Sequence, residues 1–167
     1  MAGASSVTSI VVVENVVTAT NAKTYVILDT NVLVSALWRQ LAHGKPALLL
    51  DLCMSGRYRV VYTKSMLEEY AAVLSRPKFG FASADVDALL DFFRFQALDG
   101  GPLFDSLSRP QCSDAGDQGF YDVACCCDAL LITGNTKHFP EDERVLTPAE
   151  FFEFRLIPEP KAALFLD

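Results

Sequence analysis

Four consecutive apolar residues, Tyr25 to Leu28, run without interruption into Asp29-Thr30-Asn31, the pattern of a strand buried on both faces that ends in a polar turn. Val32, Leu33, Ala36 and Leu37 continue it as a helix. A second helix fits Pro46 to Met54, with proline in the first turn and Gly56 just past the end, where each is favoured. Tyr58 to Tyr62 reads as the next strand. Ser65 and Glu68 have the spacing of a capping box, and Leu67, Tyr70, Ala71 and Leu74 follow at helical spacing until Pro77 stops them. Ser83 opens a fourth helix whose apolar face, Val86, Leu89, Leu90, Phe93 and Ala97, runs up to Gly100-Gly101-Pro102. Leu103 to Leu107 is expected to be a short strand. From Asp117 a further helix buries Phe120, Val123, Ala124 and Cys127 and leads into a strand at Ala129 to Thr133. Gly134-Asn135 turns the chain, Val145-Leu146 makes a last short strand, and Thr147-Pro148 with Glu150 caps a final helix through Phe154.

Strands that alternate with helices predict an α/β fold in which a mostly parallel sheet is covered on both faces. The 167 residues suit one domain. Residues 1–22 hold the apolar runs Ile10 to Val13 and Val16-Val17 and are read as an extension, a strand or an arm. The domain itself spans 23–156, and 157–167 form a tail.

Composition narrows the function. With 51% hydrophobic and 21% charged residues the chain can bury a core, which excludes disorder throughout. A net charge of -7 argues against gripping nucleic acid by bulk electrostatics, though not against cutting it at an acidic metal site. Polar residues such as Glu14, Asn15, Asp29 and Asn31 interrupt every long apolar stretch, so no membrane span is expected. The first basic residue is Lys23, so no export leader is expected either. Five cysteines, three of them consecutive at Cys125 to Cys127, suit reduced thiols in a cytoplasmic protein, with core packing the first reading of the triplet. Trp38, Phe92, Phe93 and Phe95 are likewise read as core.

In a parallel α/β sheet the carboxyl ends of the strands and the amino ends of the following helices share one edge, where ligands bind. Asp29, Glu69, Asp117 and Asn135 all fall there by this rule, with Asp114 and Asp122 as supporting carboxylates. Three acids brought together without matching Lys or Arg repel one another unless a divalent cation neutralises them. Hard oxygen donors suit Mg²⁺ or Mn²⁺, and the implied chemistry is phosphodiester hydrolysis. Each acid also has a plainer role. Asp29 can cap the helix after it, Glu69 points away from the core face as a solvated side chain would, and Asp117 suits a helix's first turn without any metal.

Four blocks, VILDTNVLVSAL at 26–37, SMLEEYAAVLSRPKF at 65–79, DAGDQGFYDVA at 114–124 and LLITGNTKHFP at 130–140, occur in an order that resembles the PIN-domain ribonucleases, and more closely the VapC-like toxins of bacterial toxin–antitoxin systems. The resemblance implies a three-layer α/β/α sandwich. It also implies metal-dependent endonucleolytic hydrolysis of RNA with water as nucleophile, the cation being held by Asp29, Glu69 and Asp117. It selects Glu69 over Glu68, which helical periodicity does not. Where the family often carries a fourth acid this chain has Asn135, after Thr133 and Gly134. An amide brings no charge, so weaker cation binding is expected, with Asp122 compensating and Asn31 and Thr133 in support. RNA contacts are expected from Lys64, Arg76, Lys78, Lys137 and His138. A homodimer and an inhibitory antitoxin protein are the implied partners. The rival reading is a degenerate PIN-like module that binds RNA or protein without cutting. An aspartyl phosphatase is disfavoured because Asn31 stands where a second aspartate is wanted.

Overall fold

The computed structural model describes residues 24–38, 44–101 and 108–154. Five strands, β1 (Tyr25–Leu28), β2 (Arg59–Tyr62), β3 (Leu98–Asp99), β4 (Leu130–Ile132) and β5 (Val145–Leu146), form one sheet in the order β3-β2-β1-β4-β5. Every pairing is parallel. The helices are α1 (Thr30–Leu37), α2 (Lys45–Met54), α3 (Lys64–Leu74), α4 (Ser83–Gln96), α5 (Gln118–Cys127) and α6 (Pro148–Phe154). Val26, Ile27 and Leu28 are all fully buried. Successive strand side chains point to opposite faces, so this shows both faces of β1 covered, as in an α/β/α sandwich.

Chain order explains where a site can form. From β1 the chain builds outward through β2 to β3, then returns to place β4 on the other side of β1. Diverging connections leave a crevice at the carboxyl ends of β1 and β4, the usual ligand position in open parallel sheets. The register brings Leu28 beside Ile132, so Asp29 and Thr133 lie next to each other at that crevice. Tyr70 of α3 is fully buried, stacks its ring near Phe93 and Phe120, and donates from Oη to the Leu28 carbonyl at 2.6 Å. That bond fixes α3 against the end of β1.

The structure departs from the pattern reading in several places. Helix α4 stops at Gln96, and Leu98–Asp99 pair with Val61 and Tyr62 as the edge strand. The apolar face predicts helix up to Gly100, because two strand residues give no periodicity to see. Gly100 continues the ladder through a 2.7 Å bond to the Tyr62 carbonyl, and a Cβ there would lie 2.7 Å from Val61 Cγ1. The strand expected at 103–107 lies outside the described residues, as do residues 1–22 and 157–167. The cap of α3 is Thr63, whose hydroxyl accepts from Met66 N, and not Ser65. Phe92 and Phe93 are core as expected, whereas Phe95 is 80% exposed and Trp38 40%. Cys125, Cys126 and Cys127 are only half-buried, and Cys125 and Cys127 pack against the core's margin. No helix among the described residues is long and apolar enough to cross a membrane.

Candidate metal centre

Asp29 ends β1 in an extended conformation and caps α1, so the plainer role read from its sequence is also present. Its side chain is 5% exposed. Oδ2 accepts from Thr133 Oγ1 at 2.6 Å and from Asn31 Nδ2 at 2.6 Å, while Oδ1 accepts only a long 3.4 Å bond from Asn31 N. Asn31 also accepts from Gly134 N at 2.7 Å, and Thr133 Oγ1 accepts from Asn135 N at 3.0 Å. The β1 and β4 turns are thereby laced together around one carboxylate by Asn31 and Thr133.

Glu69 is half-buried on α3 and accepts from Thr30 Oγ1 at 2.5 Å. The helix face that periodicity assigned to solvent is turned toward the first residue of α1. Thr30 is a contact the sequence reading missed. No pattern marks it, because the partner lies 39 residues away.

Asp117 closes the short 3-10 turn Ala115–Asp117 and stands at the N-cap of α5. Its Oδ2 accepts from His138 Nδ1 at 2.9 Å. The other imidazole nitrogen, Nε2, lies 2.6 Å from Asn135 Nδ2. A carboxylate can only accept, so Nδ1 carries a proton in this arrangement and Nε2 accepts from the amide. His138, expected as an RNA contact, is therefore bonded into the acidic centre. Asp114, Asp117 and His138 each present a ligand atom within 4.8 Å of the other two. Asp122 is turned aside, accepting from Gln118 Nε2 at 2.8 Å in a cleft it shares with Arg109 and Cys112.

The electrostatics are those of a crowded acidic pocket. Burial pushes the Asp29 carboxyl above its ordinary range, opposed by the Thr133 hydroxyl bond and reinforced by the charges of Asp117 and Glu69. Tyr70 is driven well above its ordinary range by burial, then by Asp29 and Glu69, so it stays a neutral donor. Among the described residues the side-chain charges acting on Asp29 are both acidic. A divalent cation would supply the positive charge that such like-charged acids lack, and the groups whose ligand atoms lie within 4.8 Å of one another among the described residues are Asp114, Asp117 and His138.

The basic candidates divide. Lys64 begins α3 at the site's edge, 3.9 Å from Glu68, and Lys137 adjoins His138. Arg76 and Lys78 follow the far end of α3, a helix whose 11 residues span about 16 Å. Lys78 instead lies 4.9 Å over the Phe79 ring.

Neither a curated protein nor a solved structure matches the chain. A family model described as a PIN domain matches residues 25–137, from the start of β1 through the turn that carries Asn135. The match takes in Asp29, Glu69, Asp114 and Asp117 and stops one residue short of His138. With most of the chain matched and the five-stranded parallel sheet in place, the chain belongs to the PIN-domain family, whose members are generally metal-dependent nucleases.

Proposed function

We propose that this protein is a metal-dependent endoribonuclease, with Asp29, Glu69 and Asp117 holding Mg²⁺ or Mn²⁺ and with RNA as the substrate. One observation carries the reading. Each acid takes its short side-chain bonds through one oxygen, Asp29 through Oδ2, Glu69 through Oε1 and Asp117 through Oδ2. Asp29 Oδ1, Glu69 Oε2 and Asp117 Oδ1 lie outside those short bonds. Thr133, Thr30 and His138 thus fix the carboxylates without consuming them, the support that orients ligating groups in metal sites.

A bound divalent cation supplies charge neutralisation at the phosphate and lowers the pKa of water toward neutrality. The chain's own residues orient the substrate. Lys64 and Lys137 flank the acids and would take the RNA backbone, with Arg76 and Lys78 reserved for a long strand. The toxin half of a toxin–antitoxin pair, a homodimer, an inhibitory antitoxin and a cytoplasmic setting are proposed on the resemblance to VapC-like proteins. Five free cysteines accord with a reducing compartment.

The test is cleavage of an end-labelled mixed RNA pool by wild type with Mn²⁺ or Mg²⁺, beside Asp29→Ala and wild type with EDTA. Cleavage abolished in both controls supports the enzyme. No cleavage, together with no divalent-cation binding by calorimetry, replaces it with a module that binds RNA or protein without cutting, a reading that Asn135 in the place of a fourth acid favours.

A further inference from the structure

We propose that Trp38, Phe79 and Phe81 form an RNA subsite away from the acids, in which one base stacks on the indole while Arg76 and Lys78 hold the adjoining phosphates, a deepening that rests on the RNA reading above. Trp38 caps the carboxyl end of α1, its N bonded to the Val34 carbonyl at 3.1 Å. The chain beyond α3 comes to meet it. Pro77–Phe79 makes a 3-10 turn, and Gly80 follows at φ 62°, the left-handed region that favours glycine. Across that turn the Phe79 and Phe81 rings lie within 10° of parallel, their centroids 5.5 Å apart, and Phe79 stands at 78° to Trp38 at 5.9 Å. A hollow of about 180 Å³ opens among Leu37, Trp38, Phe79, Phe81 and Asp85. Trp38 remains 40% exposed.

Size and charge select the occupant. Small-molecule pockets enclose roughly 300–1,000 Å³, so this hollow suits a single flat ring. Every base has a π-face, and aromatic side chains beside a basic track hold single strands with little regard to sequence. Arg76 and Lys78 supply that track. Both are exposed on the turn that carries Phe79, and Lys78 Nζ is held 4.9 Å over that ring. In a chain of net charge -7, two cations on the turn that presents the rings match a polyanion with stackable bases better than an apolar protein segment. The acid that lines the hollow, Asp85, can accept from an exocyclic amino group such as that of cytosine. Helices α1 and α3 both start at the crevice, and their 8 and 11 residues place the hollow about 12–16 Å from it. At roughly 3.4 Å per stacked nucleotide, a strand with one phosphate at the acids reaches Trp38 within about five nucleotides.

Trp38 is the chain's one tryptophan, so its fluorescence reports the subsite directly. The experiment titrates the full chain, in EDTA, with an oligocytidylate of about six nucleotides and with its abasic counterpart of equal phosphate number. Anisotropy of the labelled strand measures Trp38→Leu, Trp38→Phe and Lys78→Gln, with far-UV circular dichroism and thermal unfolding checking that they fold. The expected result is saturable quenching by the oligocytidylate and none by the abasic strand. Affinity should fall on the order of 5-fold or more in Trp38→Leu and be largely kept in Trp38→Phe. Lys78→Gln should lower the slope of log affinity against log salt by about 0.7. No quenching, quenching that the abasic strand reproduces, or a fluorescence change that follows protein concentration and not RNA overturns the subsite and leaves the rings as packing or as a contact between copies. The wild-type titration decides this even where a variant fails to fold. RNA cleavage that Asp29→Ala abolishes keeps the nuclease reading after such a failure, whereas quenching without any cleavage keeps the subsite and overturns the nuclease.

Discussion

Replacing Thr133 by valine tests the lacing of the two turns, because it changes one buried hydroxyl into a methyl of similar size. Thr133 is fully buried. Its Oγ1 donates to the Asp29 carboxylate at 2.6 Å and accepts from Asn135 N at 3.0 Å. A hydrogen bond to a charged group contributes about 1.5–3 kcal/mol and one to a neutral backbone amide about 0.5–1.5 kcal/mol, so the variant should lose about 2–4 kcal/mol. For a domain of this size that corresponds to roughly 5–15 °C in Tm. Differential scanning calorimetry at pH 7 in EDTA measures it, with Thr133→Ser, which keeps the hydroxyl, recovering most of the loss. The hydroxyl favours the charged form of Asp29, so the difference between wild type and Thr133→Val should be largest above the Asp29 titration and shrink in acid. A Tm within about 1 °C of wild type would refute the reasoning. It would mean that Asp29 is held by Asn31 alone.

Three further outcomes follow from the same geometry. Asp29→Asn should raise Tm at pH 7 without divalent cations. The folded carboxyl is held above its ordinary value of 3.8 by burial, then by Asp117 and Glu69, so its ionisation costs stability above the folded pKa. That cost vanishes below the unfolded value, and the advantage of the variant should fade as pH drops through this range, while added Mn²⁺ should stabilise wild type only. Gly100→Ala forces a Cβ to 2.7 Å from Val61 Cγ1 and should cost about 1–3 kcal/mol in urea unfolding, since the packed strand end must give way. The Cys53 thiol, buried and pushed up to about 12, should resist iodoacetamide at pH 8 in the native protein and react on unfolding, as peptide mapping by mass spectrometry would show.

Local signals in the sequence were strong wherever the structure depends on them locally. The run Tyr25 to Leu28 reads as a doubly covered strand because it is one, with three of its four residues fully buried. Thr147 and Glu150 read as a capping box, and both bonds of the box are present, Thr147 N to Glu150 Oε2 at 2.7 Å and Glu150 N to Thr147 Oγ1 at 3.2 Å. The acids could be sorted to one edge because parallel topology sorts them. What escaped was set by contacts between distant segments. Strand β3 exists because β2 is beside it, and its two residues carry no period of their own. Glu69 faces Thr30 through tertiary packing that a helical wheel cannot show. His138 reads only as an RNA contact in the sequence because its partner Asp117 is 21 positions away. The choice of Thr63 over Ser65 as the cap of α3 is a shift of two residues, within the usual uncertainty of helix ends.

Strand order also sets when the centre can exist during synthesis. The middle strand is made first, and the hydroxyl that anchors its aspartate arrives 104 residues later. At about 5–20 residues per second, a nascent chain passes roughly 5–20 s with Asp29 already made and Thr133 not yet translated. A ribosome-bound or prematurely terminated product ending before β4 thus carries Asp29, Glu69 and Asp117 but lacks Thr133 and His138, the partners that hold two of them. The topology therefore delays assembly of the hydrogen-bonded centre until nearly all of the matched domain has been synthesised.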